Sequence, residues 1–344
     1  MKILHISYIE TNAGWGAEYF VDRAFRELGY VVYEVDFKKN ERHLSEILST
    51  YDDFDVLFLQ RGDWFPIELL KASKKPCVFW ASELVSRCRD QDRLFSTKLF
   101  SHIFVHSEDC KIRLEKWKTK IADNTGVSVL INAFDEKMHR KLNINKKTDV
   151  LFIGSMTARR KIELEKLKES CIHDIKCLTN VYGEDFVRAV NEAKIVINIH
   201  ASKNKDTETR VFEVLGCGTF LVSEELSEEN PFIPGRHYIE ANIKDFPKII
   251  SYYLEHEDER KVIEDAGYRE AQAKHSYHAR TKNNIVPVLE RVSDEKQKSE
   301  LCWDEDIIKK YHRFEQNTMY WIVRKTWIKI FQYYQKFYDW RNVR

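Results

Sequence analysis

The stretch His200-Ala-Ser-Lys-Asn-Lys-Asp-Thr-Glu-Thr-Arg210-Val-Phe-Glu213-Val-Leu-Gly-Cys-Gly218 carries most of what this chain says about itself. It follows the apolar run Ile195 to Ile199, which reads as a strand, so His200 stands at a strand's carboxyl end. A polar loop then leads into a short helix holding Arg210 and Glu213, three residues apart and hence on one helical face. An arginine so placed can hold diphosphate charge, and a carboxylate can accept both hydroxyls of a ribose. The same spacing also suits an ordinary ion pair on a helix surface.

Outward from this stretch, short apolar runs alternate with longer amphipathic ones, the pattern of a parallel sheet wrapped by helices. Downstream, Thr219 to Ser223 is a strand; upstream, Asp149 to Gly154 is another, with helical stretches at Lys161 to Glu169 and Asp185 to Ala193. The same rhythm runs earlier, through strand-like Ile3 to Tyr8, Tyr30 to Phe37, Val56 to Gln60, Cys77 to Ala81, Ile103 to His106 and Val127 to Ile131. Between the two series, Asn143 to Thr148 is polar and unpatterned and reads as a linker. The expected architecture is therefore α/β, with two Rossmann-like domains facing across a cleft over residues 1–142 and 149–285. A helical C-terminal extension would fill 286–344. Ligands in such sheets bind outside the carboxyl ends of the strands.

At 344 residues the chain suits two domains, and its 43% hydrophobic content supplies real cores. Lys plus Arg number 56 against 55 Asp plus Glu, a balance that excludes a surface built throughout for nucleic acid. Seven scattered cysteines without a Cys-x-x-Cys pair argue against a disulfide scaffold or structural zinc, and point to a reducing cytoplasm. Met1 to Ser7 reads as a first strand rather than as part of a signal peptide, and no apolar run reaches the ~20 residues that span a bilayer.

Several further groups carry chemistry. Gly14-Trp-Gly16-Ala-Glu18 precedes the first helix, where glycines let backbone N–H groups approach an anion. A dinucleotide fingerprint with Asp36 as its acid fits poorly, because the third glycine is absent and Ile9 to Ala13 intervene after the strand. Asp53-Phe-Asp55 mimics a metal-binding Asp-x-Asp but reads better as polar entry to the strand Val56 to Leu59. His102 and His106 flank a strand whose geometry does not favour joint zinc ligation, so no metal is assigned. Glu83, after the strand ending Phe79-Trp-Ala-Ser82, offers either a base for an acceptor hydroxyl or a cap for the next helix. Residues 317–344 hold nine aromatics, six Lys or Arg and one acid, which suits packing on the first domain or contact with an anionic membrane.

Arg210-Val-Phe-Glu213-Val-Leu-Gly-Cys-Gly218-Thr-Phe-Leu-Val222 resembles the Arg-x-Phe-Glu-x-x-x-Cys-Gly signature of group 1 glycosyltransferases of the GT-B fold, closest to the spore-maturation-protein-like branch. Asp149-Val-Leu-Phe-Ile-Gly154-Ser-Met is similar to the first strand and glycine turn of their donor domain. Val181-Tyr-Gly183 and Ala193 to His200 resemble the strands before the signature, and His275-Ser-Tyr-His-Ala-Arg280 their terminal helix. Gly14 to Glu18 resembles the Gly-Gly-x-Glu loop, and Leu130-Ile-Asn-Ala-Phe134-Asp the interdomain turn. Relatives often carry a second acid eight residues before the first; Lys205 stands there in this chain.

The resemblance implies a glycosyltransferase acting on a nucleotide-diphosphate sugar, with no separate cofactor and an acceptor such as a surface glycan or glycoconjugate. A GT-B nucleotide-sugar 2-epimerase and a catalytically silent sugar-nucleotide-binding subunit share the architecture. It further implies roles. Gly14, Gly16, Gly154, Ser155, Arg159 or Arg160, His200 and Arg210 would line the donor, with Arg210 meeting leaving-group charge. Glu213 would hold the ribose, Tyr182 and Gly183 would flank the base, and Glu83 would serve the acceptor. Arg159 and Arg160 also suit a solvated helix start.

Overall fold

The computed structural model describes residues 1–82, 85, 90–116, 121–203, 205–296 and 299–343. The chain divides into two compact units: residues 1–131 with 280–339, and residues 132–279 with the last five.

In the first unit the elements run β1 (Lys2–Ser7), α1 (Ala17–Glu27), β2 (Val31–Asp36), α2 (Leu44–Ser49), β3 (Val56–Gln60), α3 (Ile67–Ala72) and β4 (Cys77–Ala81). They continue α4 (Asp92–Phe95), β5 (Phe100–Val105), α5 (Glu108–Lys116) and β6 (Gly126–Val129). The six strands form one parallel sheet in the order β2-β1-β3-β4-β5-β6. Every residue of β3 and β4 is buried, as expected of parallel strands covered on both faces. The order reverses between β1 and β3, which is where such a sheet opens a crevice at its carboxyl edge.

The second unit runs β7 (Thr148–Ile153), α6 (Ala158–Ser170), β8 (Ile175–Leu178), α7 (Gly183–Glu192), β9 (Ala193–Asn198) and α8 (Thr209–Gly216). There follow β10 (Phe220–Ser223), β11 (Ile239–Glu240), α9 (Phe246–Glu255), α10 (Glu257–Lys274) and α11 (Tyr277–Arg280). Its five strands are parallel in the order β11-β10-β9-β7-β8, so the reversal lies between β7 and β9. Val150, Phe152, Ile195, Ile197, Phe220 and Val222 fill one side of that sheet with Leu164, Leu167, Phe246 and Ile250.

After a π-helical turn at Thr281–Ile285, α12 (Val286–Lys296), α13 (Glu305–Glu315) and α14 (Thr318–Val343) complete the chain. The helical extension expected over residues 286–344 groups with the first unit up to Asp339, the packing alternative that the sequence offered for its end. Cys302, Trp303, Ile308 and Tyr311 lie in its core. The Glu315 carboxylate accepts the Ser45 N–H at 3.1 Å and the Ser45 hydroxyl, capping the first turn of α2. The expected linker at 143–148 is likewise built into the second unit. Lys147 N–H donates to the Glu192 carbonyl at 2.7 Å, and the break between units falls earlier, after Ile131. Val181 to Gly183, expected as a strand, forms the turn into α7; Asn180 and Gly183 take positive φ there, and Ile175–Leu178 is the strand instead.

Candidate active site

The carboxyl ends of β7 and β9 gather one group of the expected residues. Beyond Ile153 the chain turns through Gly154 and Ser155 to Thr157, whose hydroxyl caps α6 by accepting the Arg160 N–H at 3.3 Å. Beyond Asn198 it passes His200 and reaches α8. Arg159 and Arg160, in the first turn of α6, reach across to this second loop. Arg159 donates to the His200 carbonyl at 2.8 Å and grips both oxygens of Glu224, at 2.8 and 2.5 Å. Arg160 donates to the Ile199 carbonyl at 2.7 Å, to Ser155 Oγ at 3.0 Å, and to Glu208. Burial pushes the Glu224 carboxyl upward, but the Arg159 guanidinium and the His200 N–H outweigh it and hold it below its ordinary value. Arg159 and Arg160 therefore anchor the two loops to each other, and neither is the solvated helix start that the sequence also allowed.

His200 is buried. Its Nε2 lies 2.8 Å from the Glu225 carbonyl and so carries the proton, leaving Nδ1 an acceptor with no hydrogen-bond partner among the described residues. Gly154 differs from most glycines at tight turns. A Cβ there would meet nothing closer than Arg160 Nη1 at 3.6 Å, so its own chain does not require the missing side chain.

A second group assembles on α8. Glu208 precedes that helix and, besides Arg160, accepts the Ala201 N–H at 3.1 Å, joining the two groups. Arg210 Nη1 lies 3.0 Å from Glu213 Oε2, and its guanidinium stacks 4.2 Å from the centroid of Phe186 on α7. Tyr182 and Gly183 open that same helix, with Tyr182 half exposed. The other Glu213 oxygen faces His139 Nε2 at 3.6 Å. His139 Nδ1 accepts the Asp135 N–H at 3.1 Å, so Nε2 carries the proton that points at Glu213. Burial holds the His139 imidazole below its ordinary pKa despite the Glu213 carboxylate beside it. The remaining signature glycines have backbone reasons. A Cβ on Gly216 would stand 2.3 Å from the Phe134 ring, and Gly218 ends α8 with φ +66°.

His139 and Phe186 escaped the sequence reading. The available signal was Asp135 four residues before His139, a turn in which Asp135 Oδ1 also accepts the N–H of Lys137 and Met138. Nothing local couples either residue to Arg210 or Glu213.

In the first unit Gly14 has φ +80° and open space around it, while Gly16 begins α1 under crowding. A Cβ on Gly16 would fall 2.4 Å from Asn12 Cβ and 2.8 Å from the Glu18 carboxylate. Glu18 itself is buried and accepts from Asn12 Nδ2 and Arg61 Nη1, each at 3.1 Å. Asp36 accepts the N–H groups of Thr11, Lys38 and Lys39, a turn function that leaves the dinucleotide reading without its acid. Asp55 accepts the Lys2 N–H at 2.6 Å at the amino edge of the sheet, as strand entry requires. Ser82 directly follows β4, and Glu83 lies outside the described residues.

Residues 136–285 match the family described as Glycosyl transferase-like. No curated protein sequence matches the chain. Among solved structures it is similar to sucrose-phosphate synthase from Thermosynechococcus elongatus, with TM-score 0.64, 10% identity, and 86% of this chain and 99% of that one covered. HepE of Anabaena, solved with UDP and glucose, gives TM-score 0.63 at 14% identity, covering 85% and 100%. A glycosyltransferase from Rickettsia africae gives 0.58 at 12%, covering 87% and 99%.

Proposed function

We propose that this group 1 GT-B glycosyltransferase takes its nucleotide-sugar donor at the carboxyl edge of the second unit's sheet, with Arg210 on the diphosphate and Glu213 on the ribose. One observation carries the reading: Arg210 and Glu213 share a face at the start of α8, partly exposed, and are held by groups that leave them oriented. Phe186 supports the Arg210 guanidinium from one side, and the His139 N–H faces the far oxygen of Glu213. Arg159 and Arg160 have a different role here, because Glu224 and Glu208 already engage them; they fix the loop on which Gly154, Ser155 and His200 stand. The open space at Gly154 Cα suits close approach of a phosphate to the backbone.

Transfer breaks the bond between the anomeric carbon and the diphosphate oxygen and forms one to an acceptor hydroxyl, whose proton passes to a base. Negative charge grows on the departing diphosphate, and a preorganised guanidinium stabilises it more in the transition state than in the ground state. Tyr182 and Gly183, at the head of the helix that carries Phe186, are in position to flank the base. Glu83 is the base that the sequence offers. The donor is a substrate, and the reading calls for no further cofactor. For the acceptor we propose a surface glycan or glycoconjugate, made by a cytoplasmic enzyme at the inner face of a membrane.

UDP is the first ligand to titrate, since HepE is solved with it. Charge-assisted hydrogen bonds contribute ~1.5–3 kcal/mol each, so Arg210→Ala and Glu213→Gln should each weaken calorimetric UDP affinity about ten- to a hundredfold. Arg210→Ala should also slow donor turnover beyond its effect on binding. Wild-type affinity in both folded variants would reduce the pair to a surface ion pair and remove the donor site.

A further inference from the structure

The geometry of α14 points to an anionic lipid surface as its partner, and we propose that the exposed face of this helix seats the protein there. Along its 26 residues the helix has two faces. Trp321, Arg324 and Phe331 lie on the first and pack on the first unit. The Trp321 indole N–H donates to the Glu315 carbonyl at 2.7 Å. Arg324 donates to Glu41 at 3.0 Å and to the Trp64 carbonyl at 2.5 Å, and the Phe331 ring meets that of Trp64 edge-on at 5.3 Å. Packing on the first domain and contact with a membrane, posed by the sequence as alternatives, are thus separable: this face does the packing.

The second face carries Met319, Val323, Trp327, Ile330 and Tyr334, spaced three or four apart and exposed by 64%, 63%, 59%, 55% and 55%. At about 100° per residue they form a single stripe, which the exposed Phe337, Tyr333 and Ile322 widen on one side until it meets Lys325, Lys329 and Lys336, all exposed. Residues 318–338 contain no Asp or Glu. An apolar stripe of this extent needs cover. A second copy would set one acid-free, lysine-edged face against another, with nothing to offset the like charge. An anionic bilayer meets both demands: its interface takes aromatic and aliphatic side chains, and its headgroups take the lysines. No helix of the described residues is long and apolar enough to cross a membrane, so α14 would lie along the surface. Donor and lipid binding can be tested apart, because among the described residues the partners of Arg210 and Glu213 come from α7, α8 and the Asp135–His139 turn.

Flotation of the full chain with vesicles of phosphatidylcholine, with and without phosphatidylglycerol, is the test. The protein should float with the anionic vesicles and remain at the bottom with the neutral ones. Trp327→Glu with Ile330→Glu should abolish flotation. Lys325→Glu, Lys329→Glu and Lys336→Glu together should weaken partitioning roughly a hundredfold or more, from about fivefold per basic residue near the surface. All five positions are exposed, and unchanged circular dichroism and UDP affinity would verify the fold and the donor site. Wild type left at the bottom with anionic vesicles overturns the proposal, as does equal flotation of both variants. A wild-type dimer by sedimentation that Ile330→Glu splits, with no lipid binding, would instead assign the stripe to a second copy.

Discussion

The two sheets end differently at their carboxyl edges, although each reverses its strand order there. In the second unit, two arginines of α6 lock onto carboxylates of two other segments as Arg159–Glu224 and Arg160–Glu208, and a third arginine, Arg210, stays at the rim with Glu213. In the first unit the corresponding edge is held by backbone conformation. Arg61, Gly62 and Trp64 all take positive φ just after β3, and the buried carboxylate there, Glu18, is met by Asn12 and Arg61. A residue type therefore does not reveal its job. Arginines suited to phosphate become struts when a carboxylate can reach them in a place with little water.

The sharpest test of this contrast is Arg160→Ala. Removing one partner of a buried pair leaves Glu208 uncompensated, so stability should fall by about 3–5 kcal/mol in denaturant melts. Arg210→Ala, by comparison, should leave the midpoint nearly unchanged and act on UDP. If Arg160→Ala melted like wild type, the strut assignment would be wrong.

Acid separates the units through two buried histidines. In the first unit, burial and the Arg291 guanidinium push the His102 imidazole down to about 4. The folded state therefore binds that proton later than the unfolded chain does, and the stability it protects is complete above ~6.5 and drains away between ~6.5 and ~4. The loss should approach ~3 kcal/mol at the lower end, and His102→Gln should flatten that part of the pH profile. His139 in the second unit is lowered too, yet faces Glu213, so His139→Gln should flatten it less. Equal slopes for His102→Gln and wild type would sink this account.

The smallest effects contrast two glycines. Gly14→Ala should cost about 1 kcal/mol because φ is +80° there, whatever the free space. Gly154→Ala should stay within about 0.5 kcal/mol of wild type in stability, since a Cβ fits. If a phosphate approaches Gly154, that same change weakens UDP binding, and an unaltered UDP affinity would remove Gly154 from the site.

Sequence by itself determined the alternation of strand and helix, because hydrophobic period is a local property: β1, β3, β4, β7, β9 and β10 fall within a residue or two of where their apolar runs lie. It also determined that Arg210 and Glu213 share a helical face, since three residues span about one turn. Tertiary structure alone decided the rest. Where 280–339 belongs depended on Cys302, Trp303 and Tyr311 finding a core more than two hundred residues upstream. The Phe134 and Ser276 segments, both legible as motifs, meet as neighbouring backbone only once the chain has folded. Which arginines brace the loops, and that His139 faces Glu213, followed from side chains that α6 and α8 bring together with distant segments. Periodicity reports which face of an element is buried; it carries no information about which distant side chain will be there to meet it.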